Sequence, residues 1–375
     1  MARELYIGLM SGTSLDGVDV ALVEFGATTH QTQADDYSKP NVLHTHFVAY
    51  SADLRAQILA LQHPFHNELE TTCLVSNQLA HLYAQAVNQL LAMHKIPPEN
   101  ITAIGCHGQT IRHRPELGFT LQIGNNALLA ELTHITVVGD FRSRDIAAGG
   151  QGAPLVPAFH QAVFAHPQQN RLIVNIGGIA NITSLAKTGE VLGFDSGPGN
   201  MLIDAWTNQH LGKAYDADGA WAATGVVLEH LLLDMLSEPY FTLPPPKSTG
   251  RDLFNDSWLN QHLHQPHLRA QDVARTLVEL TAQSIYHALI STCSEIDAVF
   301  LCGGGTHNAL LLKCLTAKLG NIPLANTAVL GVEADWLEAI AFAWLAQQCL
   351  HHQPANLPHV TGAKGARILG AIYPR

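Results

Sequence analysis

Residues 8–17 read Gly8-Leu9-Met10-Ser11-Gly12-Thr13-Ser14-Leu15-Asp16-Gly17, and they join two apolar runs at residues 5–9 and 18–25. Turn residues between two apolar runs predict a β-hairpin. Glycine lets the backbone approach an anion closely, and successive N–H groups of such a turn form an anion-binding concavity. The stretch lacks the lysine of the common phosphate-binding loop. An ordinary hairpin turn has a similar composition, so both interpretations remain open for this stretch alone.

Outward from this hairpin, the chain shows one pattern twice. The first half continues with predicted strands at 43–50, 103–106, 120–123 and 136–139 and helices at 69–94 and 127–132. The second half restarts with strands at 171–175, 180–185 and 191–194. It continues with a strand at 298–302 and helices at 201–210, 225–236, 272–291, 308–319 and 334–348. The polar stretch 28–41 is predicted to be a surface loop.

This repetition predicts an α/β fold of two duplicated domains, residues 1–165 and 166–375, with a boundary between about 158 and 170. Ligands of open α/β sheets bind beyond the carboxyl ends of the strands, and clefts between domains are preferred sites. We therefore expect the chemistry at strand ends that face a cleft between the two domains.

Composition excludes several classes of function. The chain has 375 residues, of which 47% are hydrophobic, and a net charge of −11. Wrapping a nucleic acid requires a basic face, so no nucleic-acid partner is expected. The six cysteines form no C-x-x-C pair, which predicts neither a zinc site nor a disulfide framework and fits a cytoplasmic protein. Neither an apolar signal core nor a run of membrane-spanning length is found, so no membrane partner is expected.

Two further glycine turns follow predicted strands. Gly177 and Gly178 occupy in the second half the place that the opening loop has in the first, and we predict that they contact the same phosphates. Gly303, Gly304 and Gly305 are predicted to let a flat ligand such as a purine lie against the backbone. Each turn alone is equally compatible with a plain turn. Three turns at equivalent places of a duplicated pattern favour a nucleotide site.

The carboxylate of Asp195 is the candidate for catalysis. It lies in Gly193-Phe194-Asp195-Ser196-Gly197-Pro198-Gly199-Asn200, directly after the predicted strand 191–194. Phosphoryl transfer needs a group that orients or deprotonates the attacking oxygen, and aspartate is the usual choice. We predict Asp195 as the catalytic residue. Asp140, after the predicted strand 136–139, competes with it, and a turn or N-cap aspartate is the structural alternative.

Polar side chains in glycine- or proline-rich loops are candidates for substrate binding. We predict that role for His107, Gln109, Arg142, Arg144 and Arg251. Arginine binds carboxylates in bidentate geometry, so Arg251 is a candidate for a substrate carboxylate, and Arg142 and Arg144 together with Asp145 suggest a salt-bridged or anion-binding loop. The sequence does not rank them.

Together these motifs resemble those of the anhydro-N-acetylmuramic acid kinase family. The resemblance covers essentially the whole chain. It rests on the opening loop, on Asp195 with its neighbours, and on four further motifs: Cys106-His107-Gly108-Gln109-Thr110, Gly149-Gly150-Gln151-Gly152-Ala153-Pro154-Leu155-Val156-Pro157, Lys247-Ser248-Thr249-Gly250-Arg251 and Leu301-Cys302-Gly303-Gly304-Gly305.

The resemblance implies the two-domain fold of actin and the sugar kinases, of the ribonuclease H type, around a nucleotide cleft. It implies ATP with Mg²⁺, an anhydro-sugar released from peptidoglycan in cell-wall recycling, and a homodimer. The products implied are N-acetylmuramic acid 6-phosphate and ADP. The resemblance assigns Asp195 as the base that activates water. It assigns ATP binding to Gly12, Thr13, Ser14, Leu15, Asp16, Gly17, Val18 and Asp19.

Several alternatives remain open at this stage. The metal ligands are unknown, and Asp16 competes with the hydroxyls of Thr13 and Ser14. A simple sugar kinase that phosphorylates a hydroxyl without opening a ring is one alternative function. An ATP-gated binding module without catalysis is another, although the predicted helices leave little room for a client-binding region.

Overall fold

The computed structural model describes residues 3–12, 14–26, 39–245, 247–264 and 267–375. The strands are, in chain order, β1 (Arg3–Met10), β2 (Gly17–Gly26), β3 (Asn41–Ala49), β4 (Ile101–Cys106), β5 (Gln109–Arg114), β6 (Phe119–Ile123), β7 (Val137–Gly139), β8 (Arg171–Ile176), β9 (Ile179–Leu185), β10 (Val191–Pro198), β11 (Ala298–Cys302), β12 (Leu324–Asn326) and β13 (Ala371–Tyr373). The α-helices are α1 (Ala52–Ala60), α2 (Glu68–His94), α3 (Asn126–Thr133), α4 (Ser143–Ala147), α5 (Val156–Phe164), α6 (Met201–Leu211), α7 (Glu229–Leu236), α8 (Asp256–His262), α9 (Ala270–Thr292), α10 (Ala309–Leu319), α11 (Leu337–Leu350) and α12 (Pro358–Thr361).

The chain forms two compact units, Met1–Val163 with Trp336–Arg375 and Phe164–Asp335. The first break lies inside the predicted interval 158–170. The predicted second domain, 166–375, is too long at its C-terminal end, because α11 and β13 pack with the first unit. A Cβ on Gly8 of β1 would lie 1.7 Å from the carbonyl oxygen of Ala339 in α11, so only glycine allows this close packing. A linear pattern of elements gives no sign that the chain returns to an earlier unit.

The first unit is built on a six-stranded sheet with the order β13-β7-β4-β1-β2-β3. Strands β1, β2 and β3 form an antiparallel meander, and β4 and β7 continue the sheet in parallel with β1. Strand β13 closes the far edge antiparallel to β7. The long helix α2 buries Val75, Leu79, Tyr83, Val87 and Leu90 in the core of this unit at the helical spacing that the sequence shows.

The second unit is built on a five-stranded sheet with the order β10-β9-β8-β11-β12. Strands β8, β9 and β10 form an antiparallel meander, and β11 and β12 run parallel to β8. The core of this unit lies between the sheet and helices α6 and α9, and Trp206, Val273, Leu277 and Leu280 are buried in it. Burial of such side chains contributes roughly 1.5–3 kcal/mol each.

Strand order and direction are the same in the two units, from β3-β2-β1-β4-β7 in the first to β10-β9-β8-β11-β12 in the second. The predicted α/β fold of two duplicated domains is confirmed. Within the described ranges, no helix combines the length and the apolar character that crossing a membrane requires.

Element boundaries differ from the prediction where side chains compete for the backbone. The predicted helix 225–236 begins only at Glu229, because the N–H groups of Val226 and Leu228 donate to Asp272 and Thr276 of α9. The predicted strand 191–194 extends to Pro198, so Asp195 lies inside a strand and not after it. Most of the predicted surface loop 28–41 lies outside the described residues, and Asn41 already begins β3.

Candidate active site

The opening loop connects β1 to β2, as the hairpin prediction required. Leu15 adopts a left-handed conformation with φ of 57°, and its side chain is buried in the core of the first unit. This buried leucine anchors the loop, while Ser14 and Asp16 stay exposed and share a hydrogen bond of 2.7 Å between Oγ and Oδ1. Thr13, a predicted ATP contact, lies outside the described residues.

The side chains of His107 and Gln109, which follow β4 in the chain, contact the backbone of this loop. Nδ1 of His107 lies 3.3 Å from the carbonyl oxygen of Ser11, and Nε2 of Gln109 donates to that of Gly12 at 3.2 Å. Arg142 Nη2 lies 2.9 Å from His107 Nε2. A guanidinium only donates, so Nε2 accepts and the proton of the neutral ring is on Nδ1. Burial, and then the charge of Arg142, lower the pKa of His107 to about 3. The ring therefore stays neutral at physiological pH.

Arg142 and Asp145 fix a third segment of the same unit. Arg142 Nη1 donates to the carbonyl oxygen of Gly152 at 2.8 Å, and the N–H of Gly152 donates to Asp145 Oδ2 at 2.8 Å. Burial lowers the pKa of Arg142 to about 10, and nearby carboxylates oppose that shift. The fully buried Asp145 also accepts from Asn356 and Thr361. Arg142 therefore links the Gly152 segment to the histidine that holds the opening loop.

Two tyrosines complete this hydrogen-bond network. The hydroxyls of Ser11 and Tyr83 are 2.7 Å apart, and the Tyr50 hydroxyl donates to Gln109 Oε1 at 3.2 Å. Burial raises the pKa of Tyr50 to about 12, and burial also raises the pKa of Tyr83 well above its usual value. Both hydroxyls therefore stay protonated and act as fixed donors below the loop.

In the second unit, Asp195 lies on β10 beside a β-bulge. The register shifts between Asp195 and Gly197, which leaves Ser196 as the extra residue. A bulge re-aims neighbouring side chains, and bulges are frequent beside active sites. The N–H of Thr249 donates to Asp195 Oδ2 at 3.0 Å. Burial raises the pKa of Asp195 from 3.8 to about 6, and the bond from Thr249 opposes that rise. A carboxylate of this basicity accepts a proton near neutral pH.

In the turn between β8 and β9, the carbonyl oxygens of Gly177 and Gly178 accept hydrogen bonds from main-chain N–H groups of residues 199–201. The N–H groups of Gly199 and Met201 donate to the carbonyl oxygen of Gly178, at 2.9 and 3.1 Å, and that of Asn200 donates to Gly177 at 2.8 Å. A Cβ on Gly199 would lie 2.3 Å from the carbonyl oxygen of Gly177. Glycine at position 199 therefore allows the main chain to approach the Gly177-Gly178 turn this closely.

The third glycine turn follows β11. Gly303 has φ of 80°, and a Cβ there would lie 2.2 Å from Asn175 Oδ1. A Cβ on Gly305 would meet the Ile176 side chain at 2.3 Å, whereas a Cβ on Gly304 would meet nothing within 4 Å. Gly303 and Gly305 therefore serve close packing on the end of β8. Only Gly304 leaves open space of the kind expected beside a ligand.

Arg251 is exposed and lines a cavity of about 180 Å³ with residues of α6 and α8, among them Met201 and Asp256. Its charge acts on Asp204 of α6, where burial raises the pKa to about 7 and Arg251 lowers it. Arg144 is exposed on α4, and no ion pair involves it in the described part of the chain. Asp140, the competitor of Asp195, is exposed at the end of β7.

Among the described residues, no three His, Cys, Asp or Glu side chains are grouped so that they could hold a metal ion. Magnesium usually keeps several waters and binds through one or two carboxylates plus substrate phosphates, so it needs no such group. Asp16 in the loop and Asp19 in strand β2 supply carboxylates that fit this kind of binding.

The sequence profile of anhydro-N-acetylmuramic acid kinase matches residues 4–375. The chain belongs to the anhydro-N-acetylmuramic acid kinase family. It is 52% identical to the family member of Nitrosomonas europaea over 375 residues, which covers 98% of this chain and 99% of that protein. It is 51% identical to the one of Nitrosospira multiformis, with 100% of both chains covered. A solved structure, component A of (R)-2-hydroxyglutaryl-CoA dehydratase from Acidaminococcus fermentans, is similar at 12% identity with a TM-score of 0.46, covering 92% of this chain and 96% of that one.

The structure divides the predicted residues of this anhydro-N-acetylmuramic acid kinase family member between its units. The opening loop, His107, Gln109, Arg142 and Arg144 belong to the first unit. Asp195, Arg251 and both later glycine turns belong to the second. Within the first unit, His107 and Gln109 contact the backbone of the opening loop, a contact that their spacing of about a hundred residues did not predict. The supporting residues Tyr50 and Tyr83 carry no motif of their own and were missed.

Proposed function

We propose that this chain is an ATP-dependent kinase that opens the 1,6-anhydro ring of anhydro-N-acetylmuramic acid with water and phosphorylates the freed oxygen. The products are N-acetylmuramic acid 6-phosphate and ADP. The observation that carries the proposal is the match to this family over residues 4–375, with Asp195 inside a bulged strand end and its pKa raised to about 6. Such a reaction serves amino-sugar metabolism and the recycling of peptidoglycan in the cytoplasm, where ATP is available.

Asp195 acts as the general base in this proposal. It takes a proton from a water molecule, whose oxygen forms a bond to the anomeric carbon while the bond from that carbon to the bridging oxygen breaks. The bridging oxygen keeps the electron pair and attacks the γ-phosphorus of ATP, and ADP leaves. A base with a pKa near the working pH is the most effective, because it is ionised and still strongly basic. A desolvated carboxylate with a single N–H bond meets that requirement.

The opening loop and the Gly177-Gly178 turn hold the phosphates of ATP in this proposal, and the open space at Gly304 is where the nucleoside lies. Their support is that carbonyl oxygens of both turns accept hydrogen bonds from outside the turns, so these oxygens are directed away from an anion, although the N–H groups of Leu15 and Gly177 bond within the turns. Magnesium bound with ATP would neutralise the charge that develops on the phosphates. Asp16 and Asp19 are the carboxylates we assign to it.

For the lactyl carboxylate of the sugar we propose Arg144 and Arg251. Both are exposed. Arg142 was an equal candidate from the sequence, but its two Nη atoms contact Gly152 and His107. We therefore assign Arg142, His107 and Gln109 to shaping the site and not to direct recognition of the carboxylate. A homodimer remains the expected assembly, and size-exclusion chromatography with light scattering tests it.

The deciding experiment is turnover of anhydro-N-acetylmuramic acid in ¹⁸O-labelled water, followed by mass analysis of the product. Coupled ring opening requires label at the anomeric oxygen and none in the phosphate group. Labelled phosphate, or faster turnover of plain N-acetylmuramic acid than of the anhydro-sugar, would refute the proposal and support a simple sugar kinase. Rapid ATP hydrolysis without any sugar would support an ATP-gated binding module.

A further inference from the structure

Asp195 lies on an edge strand, so its main-chain groups on that side have no neighbouring strand to pair with. Strand β10 is the last of its sheet, and Asp195 is paired with Asn181 only on the inner side. Its N–H donates outward to the carbonyl oxygen of Lys247 at 3.1 Å, and its carbonyl oxygen accepts from the Tyr240 hydroxyl at 2.8 Å. Unpaired edge groups cost stability when they are buried, and these two contacts satisfy both.

The side chain of Lys247 closes this set of contacts into a ring. Its ammonium donates to the carbonyl oxygens of Tyr240 at 3.0 Å and Phe241 at 3.2 Å, and it lies 4.7 Å from the centre of the Tyr240 ring. No acidic side chain of the described residues is within ion-pair distance of it. Burial lowers the pKa of Lys247. The ammonium of Lys247 is thus partly desolvated and bonded to main-chain oxygens of the segment that carries Tyr240. This arrangement indicates that Lys247 positions that segment.

We propose that Tyr240 and Lys247 are positioning residues that fix the backbone of Asp195, a proposal that rests on the catalytic role assigned to Asp195 above. The carboxylate is two bonds away from the backbone that they hold. With that backbone fixed, the N–H of Thr249 binds Oδ2, and Oδ1 has no partner among the described residues. One oxygen is thereby oriented and the other is left to accept the proton of water. We call this ring of Asp195, Tyr240, Lys247 and Thr249 the Asp195 clasp.

Positioning has a kinetic signature that differs from substrate binding. Removal of the Tyr240 hydroxyl in Tyr240→Phe should lower kcat by about tenfold, while the KM values for ATP and sugar change less than about twofold. Lys247→Met should lower kcat to a similar extent, and Lys247→Arg, which keeps several donors, should restore most of it. Tyr215→Phe and Lys213→Met change exposed residues of the same unit and serve as matched controls.

The double variant Tyr240→Phe/Lys247→Met tests whether the two residues act by one route. If Lys247 acts by holding the segment that carries Tyr240, the double variant should be about as slow as either single variant. Multiplied losses of about a hundredfold would overturn the shared route. A rise in KM with unchanged kcat would overturn positioning and would indicate that Lys247 or Tyr240 binds substrate.

A second measurement needs no turnover and so separates the clasp from the proposed function. The N–H of Asp195 donates to the main-chain carbonyl oxygen of Lys247, so exchange of this amide hydrogen with deuterium should be slow in the wild type. Hydrogen exchange followed by mass spectrometry should show at least about tenfold faster exchange around Asp195 in Tyr240→Phe and Lys247→Met, but not in the controls. Unchanged exchange would refute the clasp even in an active enzyme. If the variants exchange faster but the wild type does not turn over the anhydro-sugar, the proposed function is refuted and the clasp is still supported.

Discussion

Replacing Asp195 by asparagine should abolish turnover and at the same time stabilise the protein. Burial raises the pKa of Asp195 from 3.8 to about 6, which means that the folded chain disfavours the charged form. One pKa unit corresponds to about 1.36 kcal/mol, so the difference amounts to about 3 kcal/mol. The carboxylate is partly accessible to water, which reduces the expected gain in the free energy of unfolding to roughly 2 kcal/mol. An amide keeps an oxygen for the N–H of Thr249 and carries no charge.

The difference in the free energy of unfolding between wild type and Asp195→Asn should depend on pH. Below about pH 4 the carboxyl is protonated in the folded and the unfolded chain, so wild type and Asp195→Asn should be equally stable. Between about pH 4 and pH 7 the unfolded wild type ionises first, and its folded state is destabilised relative to the variant. Above that range the difference should be constant. The acid limb of kcat/KM for the wild type should have its midpoint near pH 6.

Urea unfolding of both proteins at a series of pH values measures the difference directly, and calorimetric titration with ATP verifies that the variant still binds nucleotide. A variant that is no more stable than the wild type at pH 8 would show that Asp195 is not desolvated. Turnover of the variant at near-normal rate would transfer the catalytic role to another carboxylate, with Asp140 as the first candidate.

Two further predictions concern the loops of each unit. Gly303→Ala should lower the free energy of unfolding by about 2–3 kcal/mol, because the positive φ and the contact with Asn175 both oppose a side chain. Gly304→Ala, where a Cβ meets nothing, should lower it by less than about 0.5 kcal/mol. Equal losses for the two variants in urea unfolding would contradict this prediction. His107→Phe leaves a carbonyl group of the opening loop without its donor, so the Kd for ATP should rise roughly tenfold by calorimetry, with His113→Phe on the β5–β6 hairpin as the control. An unchanged Kd would argue that the loop does not bind ATP.

The sequence predicted most of the sheet strands because apolar runs and glycine turns are local signals. Residues 5–9 and 18–25 are recognisable as a hairpin in the printed sequence, and the structure extends each run by only one or two residues at either end. Short elements such as β12 and β13 were missed, since three residues carry no periodicity. The return of α11 to the first unit depends on the fit of Gly8 against Ala339, which is a contact between distant residues and leaves no local pattern.

The candidate site was predictable only where chemistry coincides with a motif. Asp195 was selected as a candidate because a carboxylate beside glycines near a strand end is unusual. Tyr240 was not, since a tyrosine in a proline-rich stretch has no distinguishing spacing. His107 was assigned to the substrate because it is polar and lies in a glycine loop, and its contact with Ser11 shows another use. Supporting residues are defined by partners that only the fold brings near.

In both units, carbonyl oxygens of the turn between the first two strands accept hydrogen bonds from outside the turn. A turn that binds an anion must present N–H groups, so its carbonyl groups have to be turned away and given donors of their own. In the first unit the donors for the β1–β2 turn are the side chains of His107 and Gln109. In the second unit the donors for the β8–β9 turn are the main-chain N–H groups of residues 199–201. The two units therefore share their strand order and the presence of donors for the carbonyl groups of this turn. The donors are side chains in the first unit and main-chain groups of a glycine-rich segment in the second.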